Sequence, residues 1–124
     1  MGYHETQPTV LVVNHDVWER RYTTDTLSSE GYAVMGASNG ASGLRLAEQH
    51  ACDAILLDFA LPEVTAIEFM QRLKAMDRTR TIPVIVLGES PAGQPFTAAG
   101  SVPKPLEPLR MISELARCLH DVQR

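Results

Sequence analysis

Cysteine is scarce in this chain: two in 124 residues, Cys52 and Cys118, far apart and in no CxxC or Cys/His spacing. That leaves nothing from which to build a disulfide framework, a redox motif or a zinc site, and the pair reads as two buried thiols in a reducing cytoplasm. Basic residues are not in excess either. Eleven Lys and Arg stand against fifteen Asp and Glu for a net charge of −4, and the basic ones are scattered, so no direct nucleic-acid surface is implied. No apolar stretch approaches the ~18 residues of a membrane span, and no basic-then-apolar leader opens the sequence. Residues 1–6 match the short N-myristoylation pattern, which chance also produces, and residues 1–7 are read as a plain polar tail. Repeats and domain linkers are absent. One domain is expected over residues 8–122, long enough for a core without disulfide or metal support.

What is present is an alternation. Apolar runs at residues 10–13, 32–35, 54–57, 82–87 and a weak one at 101–102 are separated by helix-periodic segments. This is the pattern of βαβ units on a parallel sheet. Continuous aliphatic and β-branched runs fit strands buried on both faces, as helices covering such a sheet require.

The helices carry their own punctuation. Asp16, with Glu19 three residues on, starts the first in the manner of a capping box, and Gly31 ends it as a C′ glycine. Trp18, Tyr22, Thr26 and Leu27 are its expected inner face, with Trp18 at the rim of the crevice near His15. A second helix over residues 41–50 turns Leu44 and Ala47 inward and is weakened by Gly43. A third over residues 63–76 carries Ile67, Met70 and Leu73, with Met70 and Met76 as core filling. Pro108 sits in the first turn of the last, followed by Leu109, Ile112, Leu115, Ala116 and Leu119 on one stripe. His50 and His120 fall near helix ends and are expected at the surface. Residues 89–95 break the rhythm with two prolines and a glycine. Proline in a helix interior costs ~3 kcal/mol, so the fourth crossover is expected to hold at most a turn or two near residues 96–99.

Carboxylates at strand ends point to the crevice where open α/β sheets bind ligands. Asp58 ends the run Ala54-Ile55-Leu56-Leu57, and Lys104 follows Val102 just before Pro105. With Val12-Val13-Asn14-His15-Asp16, Leu61-Pro62 and Ile82-Pro83-Val84-Ile85-Val86-Leu87, this order and spacing resembles the response-regulator receiver domains of two-component signalling. The resemblance covers roughly residues 8–120. It implies a flavodoxin-like three-layer sandwich with strand order 2-1-3-4-5, and a cis Lys104–Pro105 bond. It also implies an aspartate phosphorylated by a histidine kinase or small phosphodonor, at Asp58, and a phosphoryl-pairing lysine, at Lys104.

The remaining matched positions depart. Where the resemblance implies an acidic pair for Mg²⁺, this chain has Asn14 and His15. Gly88 replaces the hydroxyl after strand four, Ser101 the switch aromatic, and Thr65-Ala66 the Asp-Gly of the loop after strand three. Mg²⁺ prefers carboxylate oxygens to amide or imidazole, and each lost charge removes roughly 1–4 kcal/mol of attraction at a semi-exposed site. Asp16 falls one position late and reads as the helix cap; a metal held by Asp58 and Asp16, or by His15 and Asp58, has too few ligands.

The expected function is that of an atypical receiver domain, a non-enzymatic interaction module with weak or absent Mg²⁺-dependent phosphorylation. No cofactor is expected, and Mg²⁺ only if Asp58 is a working phosphoacceptor. Partners would be a signalling protein, a histidine kinase or an output domain, with a homodimer also open. Beside these stand an Asp58–Lys104 ion pair with a purely structural role, and a flavin- or nucleotide-binding flavodoxin-like domain. The latter needs a Gly- or hydroxyl-rich loop where this chain has Asn14-His15-Asp16-Val17-Trp18-Glu19.

Overall fold

A computed structural model of the chain describes residues 7–89 and 98–122. Its strands are β1 (Thr9–Val13), β2 (Ala33–Ala37), β3 (Ala54–Asp58), β4 (Val84–Leu87) and β5 (Gly100–Val102). All pair in parallel, in the expected order β2-β1-β3-β4-β5. The helices among the described residues are α1 (Val17–Ser29), α2 (Gly40–Gln49), α3 (Ala66–Lys74) and α4 (Pro108–Val122).

The two-residue period of the strands divides the core. Leu11, Val13, Ile55, Leu57, Val84 and Val86 face α2 and α3, where they meet Leu44, Ala47, Phe69, Met70 and Leu73. Val10, Val12, Ala54, Leu56, Ile85, Leu87 and Val102 face the other way, onto Leu27 of α1 and Met111, Leu115, Cys118 and Leu119 of α4. Both faces are covered, and the three layers follow.

Several expected details shift. β2 starts one residue and ends two residues later than the apolar run suggests, and Ile82 and Pro83 precede β4. α3 begins at Ala66 because Glu63 holds a left-handed backbone (φ 62°), which a helix cannot include; Thr65 caps it through a reciprocal capping box with Glu68. Thr65-Ala66 is therefore the start of a helix. On α3 the buried residues are Ala66, Phe69, Met70 and Leu73, while Ile67 and Met76 are half-buried. The α1 face is corrected in part: Leu27 is buried as expected and Thr26 half-buried, but the other buried residue is Thr23, four residues before Leu27, whereas Trp18 is 78% exposed and Tyr22 is exposed. On α4, Met111 and Cys118 take the inner places expected of Leu109 and Ala116, which are exposed. His50 and His120 are exposed as expected. Gly43, a weakness of α2 by propensity, lets α2 approach the sheet. A Cβ there would stand 2.8 Å from Val13 Cγ2 and 3.0 Å from Phe69 Cε2.

The expected polar tail and the turn or two near residues 96–99 fall largely outside the described residues; Ala98 and Ala99 are not helical. No helix among the described residues is long and apolar enough to cross a membrane.

Candidate functional site

The strand C-termini bring Asn14, Asp58, Gly88 and Lys104 together at one end of the sheet. Backbone hydrogen bonds fix the loops that carry them: Asn14 N donates to Ala37 O (3.0 Å), Phe59 N to Leu87 O (3.0 Å) and Gly88 N to Val102 O (2.8 Å). The Lys104–Pro105 bond is cis, as the resemblance implies.

Asp58 is 4% exposed. Its Oδ1 lies 3.0 Å from Lys104 Nζ and accepts from Ala60 N at 3.3 Å. The expected ion pair therefore exists, but it is one half of a larger arrangement. Lys104 Nζ also lies 2.9 Å from Glu19 Oε1, and the same Glu19 oxygen accepts from Asn14 Nδ2 at 3.1 Å. Partial burial works against the Lys104 charge, but the hydrogen bonds and negative charges of Glu19 and Asp58 outweigh it, raising its pKa above the ordinary lysine value.

Glu19 has a different role from the one its spacing suggests. The capping-box pattern predicts that its carboxylate returns to the backbone of Asp16. That N–H is already taken: Asp16 N donates to Asn14 Oδ1 at 2.9 Å. The Glu19 side chain instead reaches the ammonium, a stronger, charge-assisted partner. The available signal was position, since α1 starts just past the C-terminus of β1 and carries its first turn over the crevice.

Asp16 does cap α1, accepting from Trp18 N and Glu19 N at 2.9 Å each. The Glu19 N–H is the chief reason its carboxyl is held below the usual range. Asn14 is fully buried and spends both ends of its amide, Oδ1 on Asp16 N and Nδ2 on Glu19; its backbone carbonyl accepts from Arg20 Nη1 at 2.8 Å. His15 is exposed. Among the described residues no group of three or more His, Cys, Asp or Glu is placed to hold a metal ion.

Gly88 adopts φ +99°, a conformation that side chains rarely take, so the residue that follows strand four is held in a backbone geometry suited to glycine. Ser101 is exposed, and its N–H donates to Glu114 Oε2 of α4 at 3.1 Å. Arg117 binds both Glu114 (3.0 Å) and Ala99 O (2.9 Å), and its hydrogen bond is the main cause that keeps the Glu114 carboxyl below its ordinary range. Trp18, Glu19, Tyr22, Pro105 and Leu106 line a shallow groove of about 270 Å³ beside the site.

Residues 10–115 match the family model of the response regulator receiver domain. The polar-differentiation response regulator DivK of Brucella anthropi is 36% identical over 78 residues, a segment that spans 63% of this chain and 63% of that protein. Among solved structures, the chemotaxis response regulator CheY4 of Vibrio cholerae superposes with a TM-score of 0.85 at 26% identity, covering 91% of this chain and 99% of that one. The receiver domain of the sensor histidine kinase PA1611 from Pseudomonas aeruginosa, with magnesium coordinated in its active site cleft, superposes with a TM-score of 0.84 at 24% identity. It covers 93% of this chain and 99% of that one, and at that identity it speaks to the fold alone. The chain belongs to the response regulator receiver domains of two-component signalling.

Proposed function

We propose that this receiver domain is a signalling interaction module, cytoplasmic and non-enzymatic, whose Asp58 takes up little or no phosphoryl group in the presence of Mg²⁺. The observation that carries this reading is that the polar side chains around Asp58 are engaged with one another. Lys104 is held between Asp58 and Glu19, Asn14 has used both atoms of its amide, and the Asp16 carboxylate is occupied at the head of α1.

A hard cation beside Asp58 would need oxygen ligands that are free to turn toward it. These side chains do not fit that need: Asn14 Oδ1 would have to abandon a buried N–H, and Asp16 would have to uncap a helix. Phosphoryl transfer depends on positioning and charge stabilisation at the transferring group, and the one positive charge of Lys104 is already shared between two carboxylates. The domain's partner would be another signalling protein, a histidine kinase or an output domain, recognised without a phosphoryl signal.

The test is incubation with Mg²⁺ and a small acyl phosphate followed by intact mass measurement. The protein is expected to keep its mass. A stoichiometric gain of one phosphoryl group, absent in Asp58→Ala, would overturn the reading.

A further inference from the structure

Glu19 and its donors form a recognisable binding arrangement. One carboxylate oxygen receives Lys104 Nζ at 2.9 Å and Asn14 Nδ2 at 3.1 Å, from two loops that the sheet holds in place. Asn14 is fully buried, so its amide cannot turn to solvent for another partner. The Glu19 and Lys104 side chains are 31% and 34% exposed, so the pair lies at the mouth of the crevice, with Asp58 behind it.

We propose that Asn14 Nδ2 and Lys104 Nζ constitute a carboxylate-binding site that Glu19 fills from within the chain, as a tethered ligand that keeps external anions off Lys104. This deepens the functional reading above and rests on Lys104 being engaged by Glu19 and Asp58. A carboxylate held on the first turn of α1 meets its two donors at an effective concentration that a free anion cannot match. Its consequence is a Lys104 loop fastened to α1 with no external anion required. Counting Glu19, Asp58 and Lys104, the closed arrangement carries one net negative charge, and a second anion entering it meets repulsion.

The site can be emptied and refilled. Glu19→Ala removes a CH₂ and a carboxylate, and acetate carries the same four heavy atoms. Alanine is the best helix former, so α1 persists. Acetate is titrated at constant ionic strength against chloride, and the side-chain amide resonance of Asn14 is followed by NMR.

Glu19→Ala is expected to bind acetate saturably and to return the Asn14 amide toward its wild-type position. Wild type and Glu19→Gln, whose amide still fills the space, are expected to bind at least about tenfold more weakly. In Glu19→Ala with Lys104→Ala the response is expected to vanish. An Asn14 resonance in Glu19→Ala that ignores acetate, or a response that survives loss of Lys104, would overturn the proposal. Phosphoryl uptake by the wild type would overturn the functional reading and leave this titration unaffected, so the two failures are separable.

Discussion

Replacing Lys104 by Ala tests the energetics of the site most sharply. The substitution leaves Asp58, 5% exposed at its side chain, and Glu19 facing one another with no cation between them. Breaking a fully buried pair from one side costs about 3–5 kcal/mol, because the remaining charge stays unsolvated. Here Lys104 is 34% exposed and water replaces part of what it supplied, so about 1–3 kcal/mol is expected. Asp58→Asn keeps the shape and removes the buried charge, while Lys104 retains Glu19; a change within about 1 kcal/mol is expected. In the double variant the loss of Lys104 should cost about 1–2 kcal/mol less than it does alone. Urea unfolding is best followed by far-UV circular dichroism, because Trp18 is 78% exposed and reports little of the core. The Lys104→Ala midpoint should fall by about 0.5–2 M. Equal costs of Lys104→Ala in both backgrounds, within about 0.5 kcal/mol, would refute the reasoning. The pH dependence has a fixed sign. The folded pKa of Lys104 is raised above 10.5, so its contribution is complete below that value and is lost as the pH rises through the folded pKa. Wild type should lose more stability than Lys104→Ala in that alkaline window.

Gly88→Ser places a hydroxyl where the family resemblance implies one, but at φ +99° the backbone resists it. A loss of about 1–2 kcal/mol in unfolding free energy is expected, with no phosphoryl uptake gained in the mass assay. Gly43→Ala gains about 1 kcal/mol of helix propensity but drives a Cβ to 2.8 Å from Val13 and 3.0 Å from Phe69. Overpacking costs about 1–3 kcal/mol, so thermal unfolding should show a net loss. The Cys52 thiol is pushed up to about 11 by burial and by Asp53. At neutral pH its thiolate fraction is then about 100-fold below that of a thiol at 9.0, and a disulfide reagent should modify it slowly in the folded protein and quickly in urea.

The sheet was legible because buried parallel strands leave runs of aliphatic residues that little else imitates. Residues 54–57 and 10–13 became the centre of the sheet almost without adjustment. Helix faces were less legible. Trp18 and Leu109 are large and apolar, and periodicity alone assigns them inward, but the faces are set by how each helix meets the sheet. Thr23 and Cys118 are smaller and fit where the approach is close. At the site, Asp58 and Lys104 could be paired from their places at strand ends. Glu19 was hidden because a carboxylate three residues after an N-cap has a ready local use. Only the satisfaction of Asp16 N by the Asn14 side chain shows that this use is already filled. Gly88 reads in the sequence as a missing hydroxyl, and its positive φ is a backbone feature that the residue identity alone does not disclose.

The central claim is that the groups around Asp58 are bound to one another and do not accept Mg²⁺. It is tested most directly by titrating the protein with Mg²⁺ to tens of millimolar, following the amide resonances of Asn14, His15, Asp58, Phe59 and Gly88 by NMR. Only the small, unsaturated drifts that matched ionic strength also produces are expected. A saturable shift centred on Asn14 and Asp58, lost in Asp58→Ala, would contradict the claim.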